Sequence, residues 1–282
     1  MRPWAHGDRG SLIYPLVNVA TSLEPFRTRP GRCAVLTDVD GTLAPIVDRP
    51  EDARVPAETT AVLARLAERY GLVACVTGRR ALEARAMVGV DRMVYVGNQG
   101  FELLRPGEDE PLVDPAARPR GGWAAAFLAE LDWQRLSDLG LRPEDKGPVQ
   151  VLHWRGASDE EAAEAAARDV ADRARERELI PLWGRKVLEL RPVAGIDKGS
   201  AVHRLLVDRA PLDAALFAGD DRTDLDAFRA LRRLAGGWRL GSAVRVGVDS
   251  PESPPEIAAE AELVVHGTEG VLEILRALDT AD

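Results

Sequence analysis

Short, continuous apolar runs alternate with helical patterns from Cys33 to near the end of this chain. Continuous runs are typical of parallel strands covered on both faces. We interpret six such runs as strands, at residues 34–37, 72–77, 93–97, 214–219, 243–248 and 262–265. Helical spacing fills several gaps, over residues 56–70, 199–207 and 270–278. The pattern predicts an α/β fold with a doubly wound, mostly parallel sheet.

Two stretches depart from this alternation. Residues 1–30 mix Pro, Gly, Arg and single apolar residues without a period, which predicts an irregular N-terminal arm. Residues 114–191 carry a different pattern, with helices over 123–139 and 158–178, the second begun by a Ser158–Glu161 capping box, and strands over 149–155 and 187–190. We therefore expect a core domain of residues 31–113 and 192–282, with residues 114–191 inserted as a smaller α/β domain.

Composition restricts the partners that this chain could bind. The formal net charge is -9 and the pI is about 5.2, which argue against wide contact with nucleic acid or anionic membrane. Cys33 and Cys75 lie in apolar runs, as small core residues do in a reducing compartment. No stretch approaches the ~18 apolar residues that cross a bilayer, and the N-terminus is too polar for a secretory signal. We expect a cytoplasmic protein, for which a small anionic substrate is possible.

Two aspartates stand directly after the first predicted strand. Asp38 and Asp40 are separated by one residue and followed by Gly41 and Thr42. Both carboxylates can lean toward one pocket, while glycine lets the chain turn and bring backbone amides near an anion. Ligands bind at this end of the strands in open α/β sheets. On its own, the pattern also fits a simple turn or a calcium loop.

Three further segments at predicted strand ends or helix starts favour phosphate chemistry. Thr77 closes the second strand, and its hydroxyl, with the following amides at Gly78 and Arg79, can bond phosphate oxygens. Lys198 stands at the start of a helix, where an ammonium and the helix N-terminus offset negative charge. The acidic segment 219–224 ends the fourth strand and supplies the hard oxygen ligands that magnesium prefers.

These four motifs, in this order, resemble those of the haloacid dehalogenase superfamily. The resemblance implies that Asp38 attacks phosphorus to form an aspartyl phosphate, while Asp40 protonates the leaving alcohol and later deprotonates the hydrolytic water. It also implies that Thr77 and Lys198 hold the phosphoryl group, and that Mg²⁺ is bound by Asp220, Asp38 and the Asp40 carbonyl. The catalytic candidates are Asp38, Asp40, Thr77 and Lys198, and the metal candidates are Asp38, Asp40, Asp220 and Asp221.

Within that superfamily, residues from about 32 to 278 are similar to the trehalose-6-phosphate phosphatases. Patches at 97–100, 144–147, 153–155 and 184–192 carry this similarity. It implies that the insertion is a cap whose carboxylates accept hydrogen bonds from sugar hydroxyls and whose cations donate to them. The substrate-binding candidates are Gly78, Arg79, Asn98, Gln99, Glu144, Lys146, Arg155, Arg185 and Glu189.

Two departures from the family pattern bear on the substrate. Gln99 stands where the family usually has His, and Arg185 stands where it usually has Lys. The resemblance implies hydrolysis of trehalose 6-phosphate, the last step of trehalose biosynthesis, with possible functional coupling to a trehalose-6-phosphate synthase. Two alternatives stay open. One is a phosphatase for another phosphorylated glycoside, such as mannosyl-3-phosphoglycerate or glucosylglycerol phosphate, and the other is a catalytically silent sugar-phosphate-binding regulatory module.

Overall fold

The computed structural model describes residues 12–15, 19–47, 49–184, 186–209, 212–237 and 240–280. The strands are β1 (Leu12–Pro15), β2 (Cys33–Thr37), β3 (Leu72–Val76), β4 (Val94–Gly97), β5 (Glu102–Leu104), β6 (Leu112–Val113), β7 (Arg142–Lys146), β8 (Val149–His153), β9 (Ile180–Gly184), β10 (Val187–Arg191), β11 (Leu212–Gly219), β12 (Leu240–Asp249) and β13 (Leu263–His266). The α-helices are α1 (Val19–Thr28), α2 (Ala57–Arg69), α3 (Ala81–Val88), α4 (Trp123–Ala129), α5 (Trp133–Asp138), α6 (Glu160–Glu176), α7 (Lys198–Val207), α8 (Asp224–Gly236), α9 (Pro255–Glu260) and α10 (Gly267–Asp279).

The larger sheet runs in the order β1-β13-β12-β11-β2-β3-β4-β5-β6. Its inner strands, from β13 to β4, pair in parallel, and β1, β5 and β6 are antiparallel additions at its edges. Every residue of β2 and β3 is buried, because helices cover both faces of the sheet. Helices α2 and α10 pack on one face, and α7 and α8 pack on the other. The predicted α/β class with a mostly parallel, doubly wound sheet is confirmed.

The smaller sheet is antiparallel and runs in the order β7-β8-β10-β9. One of its faces packs on α4, α5 and α6 in a separate apolar cluster that includes Trp154 and Leu188. Helix α6 buries an alanine-rich stripe and leaves its charged side to solvent. Its N-cap is Asp159, whose side chain accepts a hydrogen bond from the Ala162 N–H, so the capping box predicted at Ser158 and Glu161 is wrong.

The single helix predicted over residues 123–139 is two helices, α4 and α5. The helix is interrupted at Asp132, because the Asp132 carboxylate accepts the Arg135 N–H and so caps the start of the second helix. Phe127 of the first helix and Leu136 of the second belong to the same apolar cluster. The boundaries proposed for the inserted domain stay a prediction.

The irregular arm predicted for residues 1–30 is wrong over its described part. Strand β1 pairs with β13 at the sheet edge, and α1 buries Leu23 and Phe26 against the core. These two side chains stand one helical turn apart, so packing stabilises a helix that Pro25 argues against in the sequence. Residues 1–11 and 16–18 lie outside the described residues. In the remainder, none of the helices has the length and apolarity needed to cross a bilayer.

Candidate active site

Four charged side chains meet at the carboxyl ends of β2 and β11. Asp38 follows β2, Lys198 opens α7, Asp220 follows β11 and Asp224 opens α8. The Lys198 ammonium lies 2.9 Å from Asp38 Oδ2 and 2.7 Å from Asp224 Oδ1. Burial by itself lowers the pKa of Lys198, but the charges of Asp224 and Asp38 outweigh burial and raise it. Lys198 is therefore a permanent cation at the centre of the cluster.

The buried carboxylates outnumber the lysine that neutralises them. Burial, with the neighbouring charge of Asp224, raises the pKa of Asp220 to about 7. Burial also raises the pKa of Asp38, although Lys198 acts in the opposite direction. Three carboxylates beside one ammonium leave a net negative charge away from water, which is costly without a further cation.

The residues of this cluster fit a divalent metal ion. Asp38, Asp220 and Asp224 each offer an oxygen, and these oxygens lie within 4.8 Å of one another. Asp38 Oδ1 is buried and has no hydrogen-bond partner among the described residues. Both oxygens of Asp224 are already engaged, since Oδ1 bonds Lys198 and Oδ2 accepts the N–H groups of Asp220 and Asp221. Asp38 and Asp220 therefore have more oxygen lone pairs available for a metal than Asp224 has. Asp224 instead orders the loop that carries Asp220.

A tight turn brings the two strand ends together. Gly41 has φ +74°, and a Cβ atom there would lie 2.1 Å from Asp220 Oδ2. Glycine alone allows both this conformation and this approach. Beside it, the Thr42 hydroxyl donates a 3.2 Å hydrogen bond to Asp220 Oδ1. The sequence motif therefore fixes the distance between the β2 and β11 carboxylates.

Asp40 lies outside the buried cluster and binds Arg79. Arg79 Nε and Nη2 each donate a 2.7 Å hydrogen bond, one to each carboxylate oxygen of Asp40. Arg79 follows Thr77, which is buried at the end of β3 and accepts the Arg79 N–H through its hydroxyl. In this arrangement a guanidinium occupies both sites at which Asp40 could carry a proton.

A cleft of about 900 Å³ separates the edge of the large sheet that carries the buried cluster from the uncovered face of the small sheet. Its lining joins the phosphate motifs to the insertion. The predicted residues that line it are Asp38, Asp40, Thr77, Gly78, Arg79, Gln99, Glu144, Lys146, Arg155, Glu189, Lys198, Asp220 and Asp221. Among them, Asp221 is exposed and its carboxylate accepts the Arg222 N–H rather than joining the buried trio. Arg185 lies outside the described residues.

Partly exposed polar side chains of the small sheet line this cleft. Glu144 Oε2 lies 2.7 Å from His153 Nε2 and 3.7 Å from the Lys146 ammonium. The hydrogen bond with His153 is the main cause that lowers the pKa of Glu144. Lys146 also donates a 3.3 Å hydrogen bond to the Gly78 carbonyl, so it connects the small sheet to the phosphate loop.

Glu189 is held by an arginine that the sequence interpretation did not include. Arg191 Nε and Nη2 donate to Glu189 Oε2 at 3.0 and 2.6 Å. Arg191 also donates to the Ile196 carbonyl and stacks over the Phe101 ring. Its side chain is 9% exposed, against 18% for that of Glu189. The sequence could have indicated this contact, because Glu189 and Arg191 are two residues apart and residues i and i+2 of one strand share a face.

Asn98 and Gln99 adopt left-handed backbone conformations, with φ of 50° and 60°. Asn98 does not line the cleft; its Nδ2 donates to the Lys146 carbonyl at 2.8 Å and ties the two sheets together. Gln99 does line the cleft. Gln99 Oε1 and Asn98 Oδ1 are buried without a hydrogen-bond partner among the described residues. Such strained, incompletely bonded residues are typical of ligand sites.

Comparison with known proteins agrees with this geometry. The family model described as trehalose-phosphatase matches residues 36–260. The chain belongs to the trehalose-phosphatase family. This confirms the resemblance drawn from the motifs, and the match includes both the phosphate motifs and the insertion of this family member.

Individual relatives of this trehalose-phosphatase family member are only moderately similar. The trehalose-phosphate phosphatase of Mycobacterium avium (strain 104) is 38% identical over 207 residues, which cover 71% of this chain and 51% of that protein. The chain thus spans about half the length of the mycobacterial trehalose-phosphate phosphatases that it matches.

Solved structures of trehalose-6-phosphate phosphatases share the fold. The C-terminal domain from C. albicans has a TM-score of 0.75 at 22% identity, and the Aspergillus fumigatus protein has 0.66 at 25% identity. Each comparison covers 94% of this chain and 98% of the other. The arrangement of a large sheet with a small antiparallel sheet therefore recurs in proteins of low sequence identity.

Proposed function

We propose that this protein hydrolyses trehalose 6-phosphate to trehalose and phosphate through an aspartyl phosphate on Asp38. One observation carries the proposal: a single cleft combines a buried aspartate–lysine cluster on one side with partly exposed polar side chains of the small sheet on the other. Membership of the trehalose-phosphatase family and the names of the similar proteins support the same substrate.

Asp38 is the nucleophile in this proposal. Asp38 lines the cleft, its buried Oδ1 has no hydrogen-bond partner among the described groups, and its Oδ2 pairs with the Lys198 ammonium. Attack on phosphorus forms the Asp38 O–P bond and breaks the bond to the sugar oxygen. Lys198, together with the Thr77 hydroxyl, offsets the charge of the transferring phosphoryl group.

The cluster would hold Mg²⁺ through Asp38 and Asp220, with the Asp40 carbonyl as the third protein oxygen implied by the family. The ion would neutralise phosphate charge that otherwise repels a carboxylate nucleophile. Asp224 supports this site by binding Lys198 and the amides of the loop. Asp221 remains a candidate that would act from the exposed rim.

Asp40 is the general acid and base. It gives a proton to the sugar oxygen as that oxygen leaves, and it later takes a proton from the water that attacks the aspartyl phosphate. Arg79 holds both Asp40 oxygens in this structure, so protonation requires the guanidinium to turn away. An incoming phosphate dianion offers Arg79 an alternative bidentate partner, which would release Asp40 when substrate is present.

Residues 114–191 act as the cap in this proposal. Glu144 and Glu189 accept hydrogen bonds from sugar hydroxyls, while Lys146 and Arg155 donate to them. Gln99, from the core side, offers an amide with an unpaired oxygen at the same cleft. We further propose that the enzyme acts in the cytoplasm on the product of a trehalose-6-phosphate synthase.

A phosphate-release assay over a panel of esters tests the proposal. Trehalose 6-phosphate should give the highest kcat/KM, above mannosyl-3-phosphoglycerate, glucosylglycerol phosphate and para-nitrophenyl phosphate. Excess chelator should stop turnover, and Mg²⁺ should restore it. A higher kcat/KM for another glycoside would replace the substrate, and phosphate binding without any turnover would favour the silent regulatory module.

A further inference from the structure

A groove of about 530 Å³ lies at the edge of the large sheet, outside the catalytic cleft. Helix α7 packs on β3 and β4 through Ala201 and Val202, but β5 and β6 extend the sheet beyond this helix. No described helix covers that extension on the α7 face. The apolar surface of the sheet therefore continues from the core into an open groove.

The floor of the groove is apolar, and its rim is cationic. Val94, Val96 and Leu103 form the floor, and Leu112 stands at its mouth with 43% of its surface exposed. Arginines on three separate segments of the chain surround this floor: Arg105, Arg118, Arg204 and Arg209. This cationic rim is unusual on a chain whose net charge is -9.

The contacts of the rim leave positive charge available. Asp114 is buried and both of its carboxylate oxygens have partners, since one pairs with Arg204 and the other accepts the Ala116 N–H. Arg118 and Arg209 donate to main-chain carbonyls, of Val113 and Gly71 respectively, and neither forms an ion pair within the described part of the chain. The exposed Asp208 is the other acidic group in the lining. The unneutralised guanidiniums outnumber it.

We propose that this groove is a second binding site, for a small amphipathic anion with an apolar body and one carboxylate or phosphate group. The apolar floor would take the body, and Arg118 with Arg209 would take the charged end. The volume lies within the range of about 300–1,000 Å³ that is typical of small-molecule sites. This proposal does not depend on the catalytic function.

Three probes with unbranched chains of similar length and head groups of different charge test the chemistry: decanoate (anionic), decanol (neutral) and decyltrimethylammonium (cationic). Calorimetric titrations are done below the micelle concentrations, with saturating inorganic phosphate so that the catalytic cleft is filled. Decanoate should bind at one site, at least about tenfold more tightly than the cationic probe, and more weakly as salt is added. Equal affinities for the cationic and anionic probes would overturn the proposal.

A matched pair of substitutions locates the site. Leu112→Asp places a negative charge at the groove mouth and should weaken decanoate binding by at least about tenfold. Leu182→Asp is the control, because Leu182 is also an exposed strand leucine, at 40%, but lies on β9 of the small sheet. Arg118→Glu should repeat the loss without touching an apolar residue. Equal affinity in the wild type and the Leu112→Asp and Arg118→Glu variants would refute the location.

Discussion

The two sides of the catalytic cleft hold their charges in opposite ways. On the large sheet, Lys198 and Asp224 have almost no exposed side-chain surface and each bonds more than one partner. On the small sheet, Glu144 is 41% exposed and its interactions are with neighbours on the same sheet. The buried charges of the large sheet, called the dry side below, can exert strong electrostatic effects on a phosphoryl group. The partly exposed charges of the small sheet, called the wet side below, can exchange bound water for the hydroxyl groups of a sugar. Under the proposed function, the catalytic groups and the groups that select the substrate therefore lie in different environments.

The largest effect should come from the nucleophile. Asp38→Asn keeps the shape of the side chain and should lower kcat by at least about 10³-fold on every phosphate ester, because no aspartyl phosphate can form. Steady-state phosphate release and acid-quench trapping measure the two consequences. Asp91→Asn, an exposed aspartate before β4, is the control. Phosphate trapped on a residue other than Asp38 would contradict the assignment.

Removing the central cation should destabilise the dry side. Lys198→Met leaves three buried carboxylates without their ammonium, and we expect a loss of about 3–5 kcal/mol in the free energy of unfolding, measured with denaturant in chelator. A divalent ion should recover part of the loss, because it binds the native state.

The matched control for that loss is a surface pair. Lys186 pairs with Glu160, and both side chains are more than a third exposed, so Lys186→Met should lower the free energy of unfolding far less than Lys198→Met does. Similar losses at the two lysines would mean that the buried cluster is not held together by charge.

Substitutions on the wet side should lower kcat/KM for the disaccharide phosphate much more than for a small phosphate ester. Glu189→Ala or Lys146→Ala should lower kcat/KM for trehalose 6-phosphate by at least about tenfold, or about 1.4 kcal/mol of transition-state stabilisation. Turnover of para-nitrophenyl phosphate should change little, because that small ester does not reach these side chains. Equal losses on both substrates would show that the two residues support the fold or the core chemistry.

A smaller coupling should link Arg191 to Glu189. Arg191→Lys keeps the charge but loses the fork that grips Glu189 Oε2. In a double-mutant cycle with Glu189→Gln, the losses in kcat/KM for the disaccharide phosphate should be non-additive by about 1 kcal/mol. Arg204→Lys is the control, since Arg204 also binds a carboxylate and a carbonyl but lies outside the cleft. Additive losses would show that Arg191 does not position Glu189.

The smallest effect should be a dependence of stability on pH. The hydrogen bond with His153 lowers the pKa of Glu144 in the folded protein below its value in the unfolded chain, which is near 4.5. Ionised Glu144 therefore stabilises the fold fully at pH values above 4.5. This contribution is lost as the pH falls through the lower pKa of the folded state. His153→Ala should remove a few tenths of a kcal/mol near neutral pH, given the exposure of the pair. Denaturant unfolding from neutral pH down to about pH 3 measures it. A Glu144-dependent difference that grows toward acid would contradict this linkage.

Continuous apolar runs predicted the six parallel strands to within a few residues, because burial on both faces leaves a clear sequence signal. Helical spacing predicted α2, α7 and α10 equally well, whereas α3 and α8 were not predicted. The edge strands had no such signal. Strand β7 reads Arg-Pro-Glu-Asp-Lys, which is polar and contains a proline, and it forms because it pairs with β8. The packing of α1 was equally hidden, since its two buried side chains gain their partners only in the folded chain.

The candidate site could be predicted in its residues better than in its contacts. Motif order pointed to Asp38, Lys198 and Asp220, which the fold brings together. Asp224 had a signal, four residues after Asp220 at a helix start, but whether it or Asp221 is buried depends on how α8 packs. Asn98 was expected at the sugar and instead bonds the Lys146 main chain, a contact that depends on how the two sheets lie.

The close approach at Gly41 limits how this enzyme family member could change during evolution. Any side chain there would collide with Asp220, and a Cβ at Gly219 would lie 2.4 Å from the Asp224 carboxyl carbon. Under the proposed function, substitutions at these two glycines are therefore closed as routes to a new substrate. Such routes stay open on the small sheet, where a half-exposed residue such as Glu144 can be replaced without displacing a neighbour. A descendant with another sugar ester as its substrate should differ from this chain on the cap strands and retain both glycines.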